Sequence, residues 1–211
     1  MGERIEIHPV NPQPRLIRRA VEVLREGGVI AYPTDSCYAL GCRIGDKDAQ
    51  TRIQRIRQID DRRHNFTLIC RDLSELSLYA RVDNAQFRLL KALTPGPFTF
   101  ILRATHEVPR RLQNEKRKTI GLRVPQHVIV AALLAELGEP IMSATLIPPG
   151  EDRAVSDPED IETGLGRELD LIVDGGNCGI EPTTVLDLVE GLPPVLIRQG
   201  RGDASAFLAE A

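Results

Sequence analysis

Hydroxyl and arginine side chains recur in this sequence where short apolar segments end. An arginine fork binds a carboxylate or phosphate through parallel hydrogen bonds, and hydroxyls and turn amides orient the same anions. A pocket lined by both kinds of group would suit a small anionic ligand. The alternative for the two arginines is that they extend from strand ends into solvent. The set consists of Thr34, Thr119, Arg123, Ser143, Thr145, Thr183, Thr184 and Arg198.

The segment 28–42 contains the first of these hydroxyls. Its apolar run 29–31 lies between a glycine and Pro33, which predicts a strand covered on both faces. The turn that follows would present Thr34 at the end of a sheet, where ligands of α/β proteins bind. An ordinary turn capped by Asp35 explains the same residues without a ligand.

Familiar catalytic signatures are absent from the sequence. It has no Walker loop, no Gly-x-Gly-x-x-Gly, no His-Glu-x-x-His and no Gly-x-Ser-x-Gly. Its four cysteines form no Cys-x-x-Cys pair, so we expect reduced thiols and no metal site. Cys37 could be a nucleophile, but no histidine lies near it in sequence and a packed thiol is the simpler interpretation.

Composition limits the classes of partner. The chain has 211 residues, 42% of them hydrophobic, with a net charge of -3 and a pI of about 5.9, which excludes a uniformly basic nucleic-acid binder. The sequence has neither a secretory layout at the N-terminus nor a membrane-length apolar run, so we expect a cytoplasmic protein without a membrane partner.

The elements that would position these residues alternate between strand and helix patterns. We predict a single α/β domain over residues 1–211, with a core at about 12–200 and a mixed sheet. Asn11 is predicted to cap the first helix, with Pro12 as its first residue. Predicted strands are 5–7, 29–31, 65–70, 98–102, 119–125, 140–143, 169–173, 184–188 and 195–197. Predicted helices are 12–24, 49–57, 73–79, 84–92, 128–137 and 157–162.

Several phrases of the sequence, in order, resemble a known family. They are Tyr-Pro-Thr-Asp at 32–35, Thr-Pro-Gly-Pro-Phe-Thr at 94–99, Thr-Ile-Gly-Leu-Arg-Val-Pro at 119–125, Asp-Gly-Gly-Asn-Cys at 174–178, Thr-Thr-Val at 183–185 and Ile-Arg-Gln-Gly at 197–200. The chain resembles the YrdC-like threonylcarbamoyl-AMP synthases. Within them it is most similar to the YciO branch, with which it shares the phrases that begin at Asn65 and Val108.

The resemblance implies a twisted open mixed sheet with flanking helices and a concave, positive cavity. It implies a reaction in which L-threonine, bicarbonate and ATP give threonylcarbamoyl-AMP and pyrophosphate, toward threonylcarbamoyladenosine in tRNA. ATP with magnesium would be a substrate, and no tightly bound cofactor is implied. Carried over by position, threonine would meet Thr34, Arg123, Ser143, Thr183 and Thr184, and the nucleotide would meet Arg55, Arg57, Thr119, Thr145 and Arg198.

The chain departs from the synthase pattern on the nucleotide side. Arg57, Ile59 and Asp60 stand where synthases have the Lys, Arg and Pro of Lys-x-Arg-Pro. A register shift would recruit Arg55, and Arg62 or Arg63 could reach back from a longer loop. Synthases also have Ser-Ala-Asn where this chain has Ser-Ala-Thr at 143–145, so an amide that donates and accepts is replaced.

A second function competes with the enzyme. The stretch 109–123 has six basic residues and one acidic residue, and it could hold tRNA or double-stranded RNA by the phosphates without catalysis. It could equally be a solvated loop. The candidate RNA-binding residues are Arg110, Arg111, Lys116, Arg117 and Lys118.

Overall fold

The computed structural model describes residues 2–58 and 66–208, which form ten strands and six α-helices. The strands are β1 (Glu3–Glu6), β2 (Ile30–Tyr32), β3 (Ala39–Arg43), β4 (Thr67–Ile69), β5 (Phe98–Arg103), β6 (Thr119–Arg123), β7 (Ile141–Thr145), β8 (Leu171–Asp174), β9 (Thr184–Asp187) and β10 (Val195–Arg198). The helices are α1 (Pro14–Arg25), α2 (Lys47–Arg57), α3 (Leu73–Tyr79), α4 (Asn84–Leu93), α5 (Val128–Leu137) and α6 (Pro158–Leu165).

All ten strands belong to one mixed sheet in the order β1-β8-β2-β3-β7-β4-β6-β5-β9-β10. Four neighbouring pairs are parallel and five are antiparallel. The predicted single-domain α/β fold with a mixed sheet is therefore confirmed.

The predicted start of the first helix was wrong, and one strand was not predicted. Helix α1 begins at Pro14 with Gln13 as its N-cap, because the residue before a proline is disfavoured in helical geometry and Gln13 is extended. The segment after the Pro-Thr-Asp turn forms strand β3, which the apolar pattern left unassigned. The predicted strand 65–70 begins at position 65, outside the described residues, and β4 is Thr67–Ile69.

The two faces of the sheet are covered differently. One face packs against α2, α3, α4 and α6 in a large apolar core. On the other face, α1 and α5 pack against β1, β2, β8 and neighbouring strand ends, and we call this region the covered half. The rest of that second face, from β3 to β10, contains a cavity, and we call it the open half.

Candidate active site

The open half forms a cavity of about 450 Å³ whose floor crosses seven consecutive strands. Because side chains alternate along a strand, residues two apart on each strand contribute to this one surface. Arginines, hydroxyls, a thiol and small apolar groups line it, and none of the lining residues is an Asp or Glu. They are Cys37, Ala39, Thr67, Ile69, Thr99, Ile101, Gly121, Arg123, Ser143, Ala144, Thr145, Thr183, Val185, Ile197 and Arg198.

The middle of the cavity is not filled because the side chains at the centre of its floor are small. At Gly121 on β6, a Cβ atom would lie 2.9 Å from Thr67 Oγ1 and 3.1 Å from the Phe66 carbonyl oxygen. Any larger residue would therefore push against strand β4. Glycine at this position keeps the middle of the cavity open to a ligand.

Arg123, at the end of β6, is the most buried cation of the cavity, with 6% of its surface exposed. Its Nη2 donates to Ser36 Oγ at 3.0 Å and to Thr34 Oγ1 at 3.4 Å, and it forms an ion pair with Asp35. Its buried Nε has no hydrogen-bond partner in the described part of the chain. A buried donor without a partner is costly, so this atom suits an acceptor on a bound ligand.

Thr34 organises the turn beside this arginine. Its hydroxyl donates to the Cys37 carbonyl at 2.6 Å and accepts from the amides of Ser36 and Cys37 at 3.2 and 3.3 Å. Thr34 does not line the 450 Å³ cavity; it lines a neighbouring one of about 370 Å³. Thr34 is therefore linked to the predicted threonine site by its contact with Arg123.

Ser143 presents an acceptor to the cavity. Its hydroxyl donates to the Leu40 carbonyl at 3.2 Å, so the 2.7 Å contact with Tyr32 is donated by the tyrosine. Burial raises the pKa of Tyr32 above its ordinary value, which keeps that hydroxyl protonated. One lone pair of Ser143 Oγ is left for a ligand, such as an ammonium group.

Thr183 and Arg198 form the opposite wall. The Thr183 hydroxyl lies 2.8 Å from that of Thr99, and Arg198 donates to the Thr183 carbonyl at 3.0 and 3.2 Å. Arg198 has no carboxylate partner among the described residues, and desolvation lowers its pKa. Thr184 points to the other face, where its hydroxyl donates to the Gly202 carbonyl. Of the two adjacent threonines, only Thr183 lines the cavity.

The two predicted arginines of α2 lie in different places. Arg57 donates through Nη1 to the Ile147 carbonyl, and its buried Nε has no partner among the described residues. Burial lowers the Arg57 pKa, and Arg57 is not among the residues that line the cavity. Arg55 has 71% of its side chain exposed and pairs with Glu168 at 3.1 Å, so it is not part of the cavity.

Of the other two residues predicted to bind the nucleotide, one lines the cavity and one does not. Thr145 lines the cavity, and its hydroxyl has no partner among the described residues. Thr119 begins β6, is 1% exposed and lies outside the cavity wall. Ile59, Asp60, Arg62 and Arg63 lie outside the described residues.

The basic stretch leads into β6 and is only partly available. Arg111 donates to Gln50 Oε1 at 2.9 Å, and Arg117 pairs with Asp187. Arg110, Lys116 and Lys118 are exposed, and their side chains have no partner in the described part of the chain.

Sequence reasoning missed Thr67 and Thr99 as cavity residues. Each is followed two positions later by an apolar residue of the same face, Ile69 and Ile101, and all four line the cavity. This alternation of side chains along each strand was the signal that could have identified them.

Within residues 2–58 and 66–208 no group of three or more His, Cys, Asp or Glu could hold a metal ion. No helix there is long and apolar enough to span a membrane.

Comparison with known proteins identifies relatives over nearly the whole chain. The Sua5_yciO_yrdC family model, described as "Telomere recombination", matches residues 22–200. The sequence is 59% identical over 208 residues to YciO of Escherichia coli K12, covering 99% of this chain and 100% of YciO. It is 32% identical to a threonylcarbamoyl-AMP synthase of Halorhodospira halophila, covering 85% of this chain and 93% of the synthase.

Solved structures agree with these matches. The crystal structure of E. coli YciO superimposes with a TM-score of 0.95, covering 99% of this chain and all of YciO. The structure of P. abyssi Sua5 complexed with L-threonine superimposes with a TM-score of 0.85 at 26% identity, and the match covers 93% of this chain and 57% of Sua5. The chain belongs to the Sua5/YciO/YrdC family.

Proposed function

We propose that this protein carries out threonylcarbamoyl-AMP synthase-type chemistry, in which L-threonine, bicarbonate and ATP give threonylcarbamoyl-AMP and pyrophosphate. One observation carries the proposal: cations and hydroxyls converge on a 450 Å³ cavity whose lining contains no carboxylate. Such a lining attracts anions from several directions. The product would serve the threonylcarbamoyladenosine modification of tRNA.

Threonine fits the end of the cavity near Arg123. The arginine would bind the substrate carboxylate, using donors that the 34–36 turn leaves free. The remaining lone pair of Ser143 Oγ would accept from the substrate amine. The P. abyssi Sua5 relative, whose structure is complexed with L-threonine, supports threonine as the substrate.

ATP would bind beside Arg198 and Thr145, and Arg57, which lies outside the cavity lining, would add positive charge. Neither arginine has a carboxylate partner among the described residues, so both can neutralise phosphate charge. The Thr145 hydroxyl can donate to or accept from the nucleotide. With no Asp or Glu in the cavity lining, magnesium would enter with ATP and be held by phosphates and water.

The reaction asks the protein for positioning and charge stabilisation. Bicarbonate takes up a proton and loses water to give carbon dioxide. The neutral threonine nitrogen attacks the carbon of carbon dioxide and releases a proton, which gives a carbamate. A carbamate oxygen then attacks the α-phosphorus of ATP, and the bond to pyrophosphate breaks. Holding the two anions in contact and offsetting charge on the leaving pyrophosphate need no covalent intermediate.

The test is pyrophosphate release by the purified protein with ATP, threonine and bicarbonate, each omitted in turn. We expect release that needs all three, with Arg123→Ala lowering kcat/KM for threonine by at least about tenfold through loss of a charged hydrogen bond. Arg55→Ala is the matched control, because Arg55 lies outside the cavity. A wild-type protein that forms no adenylate at any ATP concentration would refute the proposal.

A second candidate function rests on Arg110, Lys116 and Lys118, which are exposed and without partners in the described part of the chain. Such cations could bind RNA phosphates, with an affinity that falls steeply as salt rises. Replacing all three by alanine should then weaken tRNA binding and flatten its salt dependence. RNA binding that this triple variant leaves unchanged would reject the candidate.

A further inference from the structure

The carboxylate of Asp35 connects two turns at the edge of the cavity. Its Oδ1 pairs with Arg123 Nη2, and its Oδ2 accepts from the backbone amide of Gln126 at 2.9 Å. The side chains of Asp35 and Arg123 are only 10% and 8% exposed. One buried carboxylate therefore joins the turn after β2 to the segment that leads into α5.

This arrangement divides the donors of the Arg123 fork. Nη2 is surrounded by three acceptors from the 34–36 turn. Nε is buried without a partner, and Nη1 makes no hydrogen bond within the described residues. Asp35 thus fixes the guanidinium through Nη2 and leaves Nε and Nη1 available to a ligand.

The pair also makes the two arginines of the cavity lining electrically different. Arg123 and Asp35 sum to zero charge, whereas Arg198 has no carboxylate partner among the described residues. A zwitterion such as an amino acid matches the neutral pair, which offers oriented donors. A polyphosphate gains more beside Arg198, whose positive charge is not compensated.

We propose that Asp35 is a positioning and selectivity residue: it orients Arg123 for the carboxylate of an amino acid and, by neutralising its charge, keeps polyphosphate away from Arg123. The inference rests on the proposed function and names the residue that separates its two substrates. Asp35 acts through Arg123, so it is not a catalytic residue. A carboxylate that only capped the turn would be replaceable by a neutral acceptor.

The experiment titrates L-threonine and inorganic pyrophosphate separately and together into wild type and Asp35→Asn. Asparagine keeps an acceptor for the Gln126 amide and removes the charge. We expect the threonine Kd to rise about tenfold or more, as for loss of a charged hydrogen bond. Pyrophosphate should bind several-fold tighter and become competitive with threonine, whereas in wild type both bind together.

Asp46→Asn is the matched control, because Asp46 also accepts a backbone amide, that of Ala49 at 2.9 Å, but forms no contact with Arg123. We expect it to match wild type for both ligands. Unchanged threonine and pyrophosphate affinities in Asp35→Asn would overturn the inference. So would a loss of affinity for both ligands, the result of a purely structural role.

The experiment distinguishes a failure of the proposed function from a failure of the inference about Asp35. If wild type binds no threonine, the proposed function is wrong, and the pyrophosphate titration still decides the role of Asp35. Tighter pyrophosphate binding in Asp35→Asn would then uphold its role in excluding polyphosphate. An unchanged pyrophosphate Kd would reject it.

Discussion

The covered half and the open half belong to the same face of one sheet, and they use it in opposite ways. In the covered half, α1 and α5 bury residues such as Leu24 and Leu133 completely against strands β2 and β8. In the open half, the strands present Thr67, Gly121 and Ser143 to a cavity. Burying apolar surface stabilises a fold by about 25 cal/mol per Å². The difference indicates that the open half gives up this stabilisation to keep a polar surface accessible.

Two contacts cross the boundary between the halves. Tyr32, fully buried with the covered half, donates to Ser143 in the cavity. Asp35 links Arg123 to the segment that leads into α5. The covered half therefore acts as the rigid support for side chains of the open half.

The largest expected effect is on stability, and it sharpens the contrast between the halves. Leu133→Ala should lower the free energy of unfolding by about 2–5 kcal/mol, because it leaves a void in a closed core. Ile101→Ala should cost less because Ile101 lines the cavity and belongs to neither apolar core cluster. Urea denaturation measures both. Equal losses of unfolding free energy in the two variants would contradict the proposed difference between the covered half and the open half.

The next effect is on ligand binding in the open half. Arg198→Ala should weaken ATP or pyrophosphate binding by about tenfold or more and lower stability by only about 1 kcal/mol, through loss of its hydrogen bonds to the Thr183 carbonyl. Titration calorimetry and urea denaturation measure the two quantities. Arg55→Ala should leave nucleotide binding unchanged, since its partner Glu168 lies outside the cavity lining. A nucleotide affinity unaffected by Arg198→Ala would remove this arginine from the site.

A smaller effect is expected at Thr145. The substitution Thr145→Asn restores the amide found in synthases and should lower the KM for ATP a few-fold, because an amide both donates and accepts. The KM for threonine should stay the same, since the proposed function assigns Thr145 to the nucleotide. Steady-state kinetics would contradict this if only the threonine KM changed.

The smallest effect is on pH dependence at the boundary. Burial lowers the pKa of His127, the N-cap residue of α5, so the folded state binds this proton less readily than the unfolded state. Stability should therefore decrease as pH falls below about 6.5, the ordinary value, toward the lowered one. His127→Asn should reduce this slope in urea denaturation between pH 5 and 7.5. An unchanged slope would assign the pH dependence to other groups.

Sequence patterns predicted the fold class because the apolar pattern of a strand or helix is contained in a short stretch of sequence. The start of α1 was misplaced because two prolines compete within three residues, and only the geometry before Pro14 decides between them. Strand β3 was left unassigned because short mixed segments gain their strand character from neighbours, here β2 and β7.

The cavity lining could be anticipated only in part. Residue types predicted an anion pocket, and five of the predicted residues line the cavity: Arg123, Ser143, Thr145, Thr183 and Arg198. Which of two adjacent threonines faces the cavity depends on strand register, which sequence leaves open. The ion pair between Asp35 and Arg123 joins residues 88 positions apart, so only the tertiary structure brings them together.

The most direct test of the account is a titration of L-threonine with and without saturating ATP, in wild type and Arg123→Ala. We predict that wild type binds both ligands at once, and that Arg123→Ala loses threonine binding while it retains ATP binding. Mutual exclusion of threonine and ATP in wild type would contradict the central claim, that the open half holds two anionic groups together in one cavity.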